Sequence, residues 1–154
     1  MSFHSNYEKW KKLLSQENCP ICNNSPMPEG MVDIMELPFS WLSAEPKECL
    51  KGTCHLTFKE HKIELYELND IEALGLMKDI QKCAKALKTV TKAIKINYEI
   101  HGNTLPHLHV HLYPRYMDDP FPDQPINYKS KSSIIYSERE FESFVKEMKK
   151  ELDK

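Results

Sequence analysis

Three histidines spaced two apart dominate the chemistry available to this chain. They are His107, His109 and His111, in the stretch PHLHVHLYPR at residues 106–115. On a β-strand, side chains two apart point to the same side of the sheet. Leu108, Val110 and Leu112 then point to the other side, so one face is apolar and the other carries three imidazoles. Packing alone does not account for such a row, because a buried imidazole needs hydrogen-bond partners. Two chemistries suit it. The imidazoles can ligate one metal ion, or one can act as a nucleophile while its neighbours position it and manage protons. With an ordinary pKa of about 6.5, imidazole offers a free nitrogen lone pair at pH 7. Such a nitrogen attacks phosphorus competently, and the phosphoramidate it forms is reactive enough to be hydrolysed in turn.

The residues just upstream favour phosphate chemistry. Asn97 sits in the segment KINYE, and Gly102, Asn103 and Thr104 immediately precede the histidines. A glycine turn lets backbone N–H groups approach a ligand, and amide and hydroxyl side chains can bind phosphate oxygens. A phosphate held by neutral donors beside an imidazole is a sensible arrangement for phosphoryl transfer. A second motif is the C-x-x-C pair Cys19 and Cys22, which reads as metal, redox or chance. Structural zinc takes four ligands, so two more must come from elsewhere, and His61, His101 and His107 are available. A redox role needs a thioredoxin-like βαβ context that the sequence lacks. Cys49, Cys54 and Cys83 are isolated and read as buried free thiols.

The elements that must position these groups are legible from periodicity. A short helix is expected over 5–16, with Tyr7, Trp10, Leu13 and Leu14 on one face. Strands are expected over 31–37, 39–43, 53–59, 94–100 and 107–113. The clearest helix is 70–92, with Asn69 as N-cap, Glu72 at the capping-box position, and Leu74, Met77, Ala84 and Leu87 as its apolar face. Lys78, Lys82, Lys85, Lys88 and Lys92 form a solvated basic stripe beside it. Residues 117–136 read as a loop, and 137–152 as a last helix capped by Ser137, with Phe141, Phe144, Val145, Met148 and Leu152 inward. The fold class is α+β: an antiparallel five-stranded sheet, one long helix and a C-terminal helix, forming a single domain over 1–154.

Composition narrows the function classes. A net charge of -2 gives no global basic field of the kind that nucleic-acid polymers attract, so an anionic ligand must be held by local groups. No run of eighteen apolar residues predicts a membrane span, and MSFHSNYEKWKK has no apolar core of a secretory signal. Five cysteines, an odd number, argue against a disulfide scaffold and for a reducing, cytoplasmic setting.

Residues 97–115, NYEIHGNTLPHLHVHLYPR, resemble the signature of the histidine triad superfamily, His-φ-His-φ-His with φ apolar. The stretch GTCHLTFKEH at 52–61 and the helix that follows are similar to the same family, and the likeness extends over about 19–115. The dinucleoside polyphosphate hydrolase branch is the part of the family it most resembles. The resemblance implies that His109 attacks the α-phosphorus and carries the nucleotidyl group. It implies that the His107 carbonyl holds the other ring nitrogen of His109, and that His111 contacts the phosphate and helps the leaving group. Asn97, Gly102, Asn103 and Thr104 fall where the family contacts phosphate. Galactose-1-phosphate uridylyltransferases, in the same superfamily, combine a C-x-x-C with a histidine like His61 and the first triad histidine. That likeness implies a structural zinc on Cys19, Cys22, His61 and His107. The resemblance to the histidine triad family also implies a homodimer built through the long helix and adjoining strand. There are departures. Thr53 stands where many members have a further histidine, and Glu45 is only a candidate for the acidic residue that binds the ribose.

The function expected is hydrolysis of dinucleoside polyphosphates or nucleoside phosphoramidates through a nucleotidyl-histidine. The alternatives are a nucleotidyltransferase, a non-catalytic nucleotide-binding signalling protein, and a zinc hydrolase with all three triad imidazoles on one metal. His111 speaks against the transferase, because the uridylyltransferases carry glutamine at that position.

Overall fold

The computed structural model describes residues 2–25, 30–127 and 136–154. Five strands form one antiparallel sheet: β1 Val32–Glu36, β2 Ser40–Ala44, β3 Cys54–Phe58, β4 Lys95–Glu99 and β5 His109–Arg115, in the order β1-β2-β3-β5-β4. Three α-helices accompany them: α1 Tyr7–Lys12, α2 Asp70–Thr91 and α3 Glu138–Leu152. β3 and β5 lie side by side in the interior of the sheet, with β1 and β4 at its edges.

Strand alternation separates two faces. Leu42, Cys54, Leu56, Phe58, Ile96, Val110 and Leu112 form the core face and are buried under α2 and α3. The helices contribute Leu76, Ile80, Cys83, Ala84 and Leu87 from α2 and Phe141, Phe144, Met148 and Leu152 from α3. The other face carries His55, His109 and His111. Cys49, Leu50, Tyr113, Phe121 and Ile126 form a smaller, separate buried cluster.

The helix ends form as their caps dictate. The Asn69 side chain accepts from the Ile71 and Glu72 N–H groups while Glu72 returns to the Asn69 N–H, and Ser137 and Glu140 do the same for α3. The expected apolar face of α2 needs correction. Leu74 and Met77 are 58% and 51% exposed, and the inward stripe runs through Glu72, Gly75, Leu76, Asp79, Ile80, Cys83, Ala84 and Leu87. Two residues disguise that stripe. Gly75 is there because a Cβ would stand 2.3 Å from the Phe39 ring. Asp79 is there because its buried carboxylate accepts from the Phe39 N–H at 2.9 Å and the Ser40 hydroxyl at 2.8 Å, pinning the β1–β2 turn.

Two other boundaries shift. The first helix is only Tyr7–Lys12, followed by a 3-10 turn at Gln16–Asn18, and it buries no residue. The histidine strand begins at His109 and runs on to Arg115, leaving His107 just before it. Within the expected loop at 117–136, residues 128–135 lie outside the described residues, and the described remainder holds neither helix nor strand.

Candidate functional site

The three triad histidines are not equivalent in the structure. His107 is 1% exposed, and both its ring nitrogens are engaged. Its Nε2–H donates to the Phe58 carbonyl at 2.8 Å, which leaves Nδ1 as a lone pair facing Cys19 Sγ at 3.4 Å and Cys22 Sγ at 3.8 Å. His61 is oriented in the same way. Its Nε2–H donates to the Leu14 carbonyl at 2.8 Å, and its Nδ1 lies 3.3 Å from Cys22 Sγ. The four donor atoms of Cys19, Cys22, His61 and His107 lie within 4.8 Å of one another.

That set fits a tetrahedral metal. Zinc bonds of about 2.3 Å to sulfur and 2.0–2.1 Å to nitrogen place neighbouring S and N ligands about 3.5 Å apart. The backbone carbonyls that hold each Nε2–H fix the tautomer a metal-binding histidine requires. Burial and the neighbouring Cys19 push the Cys22 thiol up to about 11, so a nearby cation is what would make it a thiolate at neutral pH. His101 lies outside this cluster. It is exposed, and its Nε2 lies 2.9 Å from a Glu99 carboxylate oxygen.

His109 turns to the open face. Its Nδ1–H donates to the His107 carbonyl at 2.6 Å, and its Nε2 has no hydrogen-bond partner among the described residues. Burial lowers its pKa from the ordinary 6.5, against the opposing effect of that carbonyl, with His55 and His101 lowering it further. The ring is therefore a neutral base with one fixed nitrogen and one free nitrogen.

His111 stands beside His109, with ring centroids 5.0 Å apart, and burial together with His55, His109 and His101 pushes it down to about 3. The register places His55 of β3 directly opposite His111, and the two Nδ1 atoms are 3.0 Å apart. His55 Nε2–H donates to Glu48 at 2.7 Å. Sequence reading treats His55 as a satisfied structural histidine. It is satisfied, but by a site residue, and its strand register opposite the triad was the available signal. Thr53, by contrast, is buried with its hydroxyl on the Leu50 carbonyl at 2.9 Å. Glu45 lies near Glu48 and His55, and burial followed by repulsion from Glu48 raises its pKa.

Asn97 pairs with Tyr113, and Glu99 with His111, so both sit on the histidine side of β4. A groove of about 850 Å³ runs past Asn97, Glu99, His101 and Arg115 toward Pro122–Pro125. Arg115 is committed internally: its guanidinium grips Asp119 at 2.7 and 2.8 Å and also bonds the Phe121 carbonyl. Gly102 has a φ of +70°, the left-handed conformation that glycine adopts without strain, and Asn103 and Thr104 beside it are exposed. The three triad imidazoles do not converge on one point. Among the described residues, the groups able to hold an ion are the Cys19–Cys22–His61–His107 set and Glu45, Glu48 and His55.

With this geometry in hand, likeness to known proteins is informative. No curated protein matches the chain. Among solved structures, a histidine triad protein from Bradyrhizobium japonicum is 24% identical with a TM-score of 0.70, covering 80% of this chain and 92% of its own. A histidine triad (HIT) protein from Sinorhizobium meliloti is 22% identical with a TM-score of 0.70, covering 82% and 96%. A zinc-bound histidine triad family protein from Mycobacterium smegmatis is 18% identical with a TM-score of 0.65, covering 90% and 96%. No helix among the described residues is long and apolar enough to cross a membrane. The sequence model of the HIT domain matches residues 44–118, which hold β3, α2, β4, β5 and all three triad histidines. The match to the HIT domain is confined to residues 44–118, and the fold built around them is the one that the solved histidine triad proteins share.

Proposed function

We propose that the chain hydrolyses a nucleoside phosphate derivative, a dinucleoside polyphosphate or a nucleoside phosphoramidate, through a nucleotidyl-His109 intermediate. One observation carries this reading: the 2.6 Å bond from His109 Nδ1–H to the His107 carbonyl, which leaves Nε2 free on the open face. Held that way, Nε2 attacks the α-phosphorus and the bond to the leaving group breaks; the neutral His111 contacts the phosphate beside it, and the departing oxygen or nitrogen takes its proton from water on the open face. Water then attacks the adduct, releasing the nucleotide and returning His109 to its starting state. Asn97, Gly102, Asn103 and Thr104 are proposed to hold the phosphate through neutral donors.

Zinc is proposed as a structural ion on Cys19, Cys22, His61 and His107. It would tie the N-terminal segment to the catalytic strand and steady the carbonyl that orients His109. The zinc-bound relative and the four converging donors support this. A homodimer is proposed through α2 and β4. Ile71, Leu74 and Met77 are exposed on α2, and Ile94, Tyr98 and Ile100 are exposed along β4, leaving apolar surface on both elements. One domain over the whole chain and a cytoplasmic home belong to the same proposal, the latter supported by five free cysteines.

The test is a panel of adenylate and guanylate polyphosphates and phosphoramidates, with products identified by mass spectrometry. Release of a nucleoside monophosphate from at least one substrate is expected. No release from any member would overturn the hydrolase reading.

A further inference from the structure

α1 has six residues and buries none of them, and an isolated helix of that length is not stable in water. Its position is therefore set from its two ends. At the far end, the Leu14 carbonyl accepts from His61, and Cys19 and Cys22 sit in the four-residue cluster. Ahead of the helix, the Phe3 N–H donates to the Asn103 carbonyl at 2.9 Å, and from within it the Trp10 indole N–H donates to the Gly102 carbonyl at 3.1 Å. The Phe3 and Trp10 rings pack edge to face at 5.5 Å, which holds the two donors together.

These bonds grip two successive peptide planes. In a planar trans peptide, the carbonyl of one residue points opposite to the N–H of the next. With the Gly102 and Asn103 carbonyls turned to the N-terminal segment, the Asn103 and Thr104 N–H groups point away from it. Neither N–H has a protein acceptor among the described residues. No atom beyond its chain neighbours would lie within 4 Å of a Cβ at Gly102, so nothing packs there to set the loop's conformation from that side.

We propose that Trp10 and Phe3 are positioning residues, holding the 102–104 loop so that two adjacent amide N–H groups are presented to a phosphate oxygen. Successive N–H groups turned the same way make an anion-binding concavity. The proposal rests on the reading that this loop contacts a nucleotide phosphate. It adds that the loop's shape is imposed by the N-terminal segment, and through that segment by the Cys/His cluster.

The test uses the full chain and titrates AMP and GMP by calorimetry. Trp10→Phe keeps an aromatic ring against Phe3 and removes only the indole N–H. Its affinity should fall about three- to tenfold, the worth of one hydrogen bond. KM should rise by a similar factor with kcat little changed, because the lost contact holds ground state and transition state alike. Zinc content and melting temperature should stay at wild-type values. Tyr7→Leu removes a ring stacked on Trp10 at 6.3 Å that grips no loop carbonyl, and it should bind as wild type does. In the unaltered protein, the Trp10 indole N–H resonance should shift as AMP saturates the site, a readout that needs no variant to fold. If wild type binds and Trp10→Phe binds equally, or Tyr7→Leu loses as much, or the resonance does not move, the positioning role is wrong while the nucleotide reading stands. If wild type binds neither nucleotide, both fall.

Discussion

Acid stability should report the environment of His111. Burial and three neighbouring imidazoles, His55, His109 and His101, push this group from 6.5 down to about 3. In the folded chain it stays neutral where the unfolded chain would protonate it. The stability it confers is therefore whole above about pH 6.5 and is lost as the pH falls from there toward about 3. Each pH unit in that window costs about 1.4 kcal/mol, so the loss by pH 5 is about 2 kcal/mol. The carboxylates held low, Asp119 and Glu140, each at about 2, lose their contribution from the ordinary carboxylate range downward, which lies below the pH 7 to pH 5 comparison. His111→Asn keeps a polar side chain and removes the titration. Urea unfolding of both proteins at pH 7 and pH 5 should show wild type losing about 2 kcal/mol more than the variant. Groups other than His111 are common to both proteins, and what they lose in acid cancels in the difference. An equal loss in the two proteins refutes the environment described for His111.

The remaining predictions are simpler. Purified protein should hold about one zinc per chain, and Cys19→Ser with Cys22→Ser should abolish it. At zinc a thousandfold above the dissociation constant, that variant should lose about 4 kcal/mol of unfolding free energy, and retention of zinc in it would defeat the ligand assignment. Asp79→Ala should cost about 3 kcal/mol in urea unfolding, because two buried bonds to a carboxylate vanish; a neutral result would contradict the pinned β1–β2 turn. Light scattering at micromolar concentration should give about twice 18.1 kDa, and a monomer mass would exclude the dimer.

Much of the frame was legible because local signals were strong. Asn69 with Glu72 and Ser137 with Glu140 announced two helix starts, and the alternation around Leu108, Val110 and Leu112 announced the histidine strand. The inward face of α2 was not legible, because what packs there is set by a distant turn. Gly75 and Asp79 look like surface residues until Phe39 and Ser40 arrive from β1–β2. In the site, spacing picked out His107, His109 and His111 as a row, but it could not show that His107 turns its ring into the cysteine cluster. That depends on Cys19 and Cys22 coming from 85 or more residues away. His55 was missed as a site residue for a related reason: only the β3–β5 register places it opposite His111. The grip of Trp10 on Gly102, across 92 residues, left no trace in local pattern.

The central claim is that His109 is the nucleophile, and one substitution tests it directly. His109→Ala removes the free Nε2 while leaving the four cluster residues and the apolar face of β5 untouched. Turnover of the polyphosphate and phosphoramidate panel by this variant is the measurement, made on protein whose zinc content and melting temperature match wild type. The account predicts no turnover of any substrate that wild type cleaves. Near-normal turnover of those substrates would contradict the covalent mechanism for this protein.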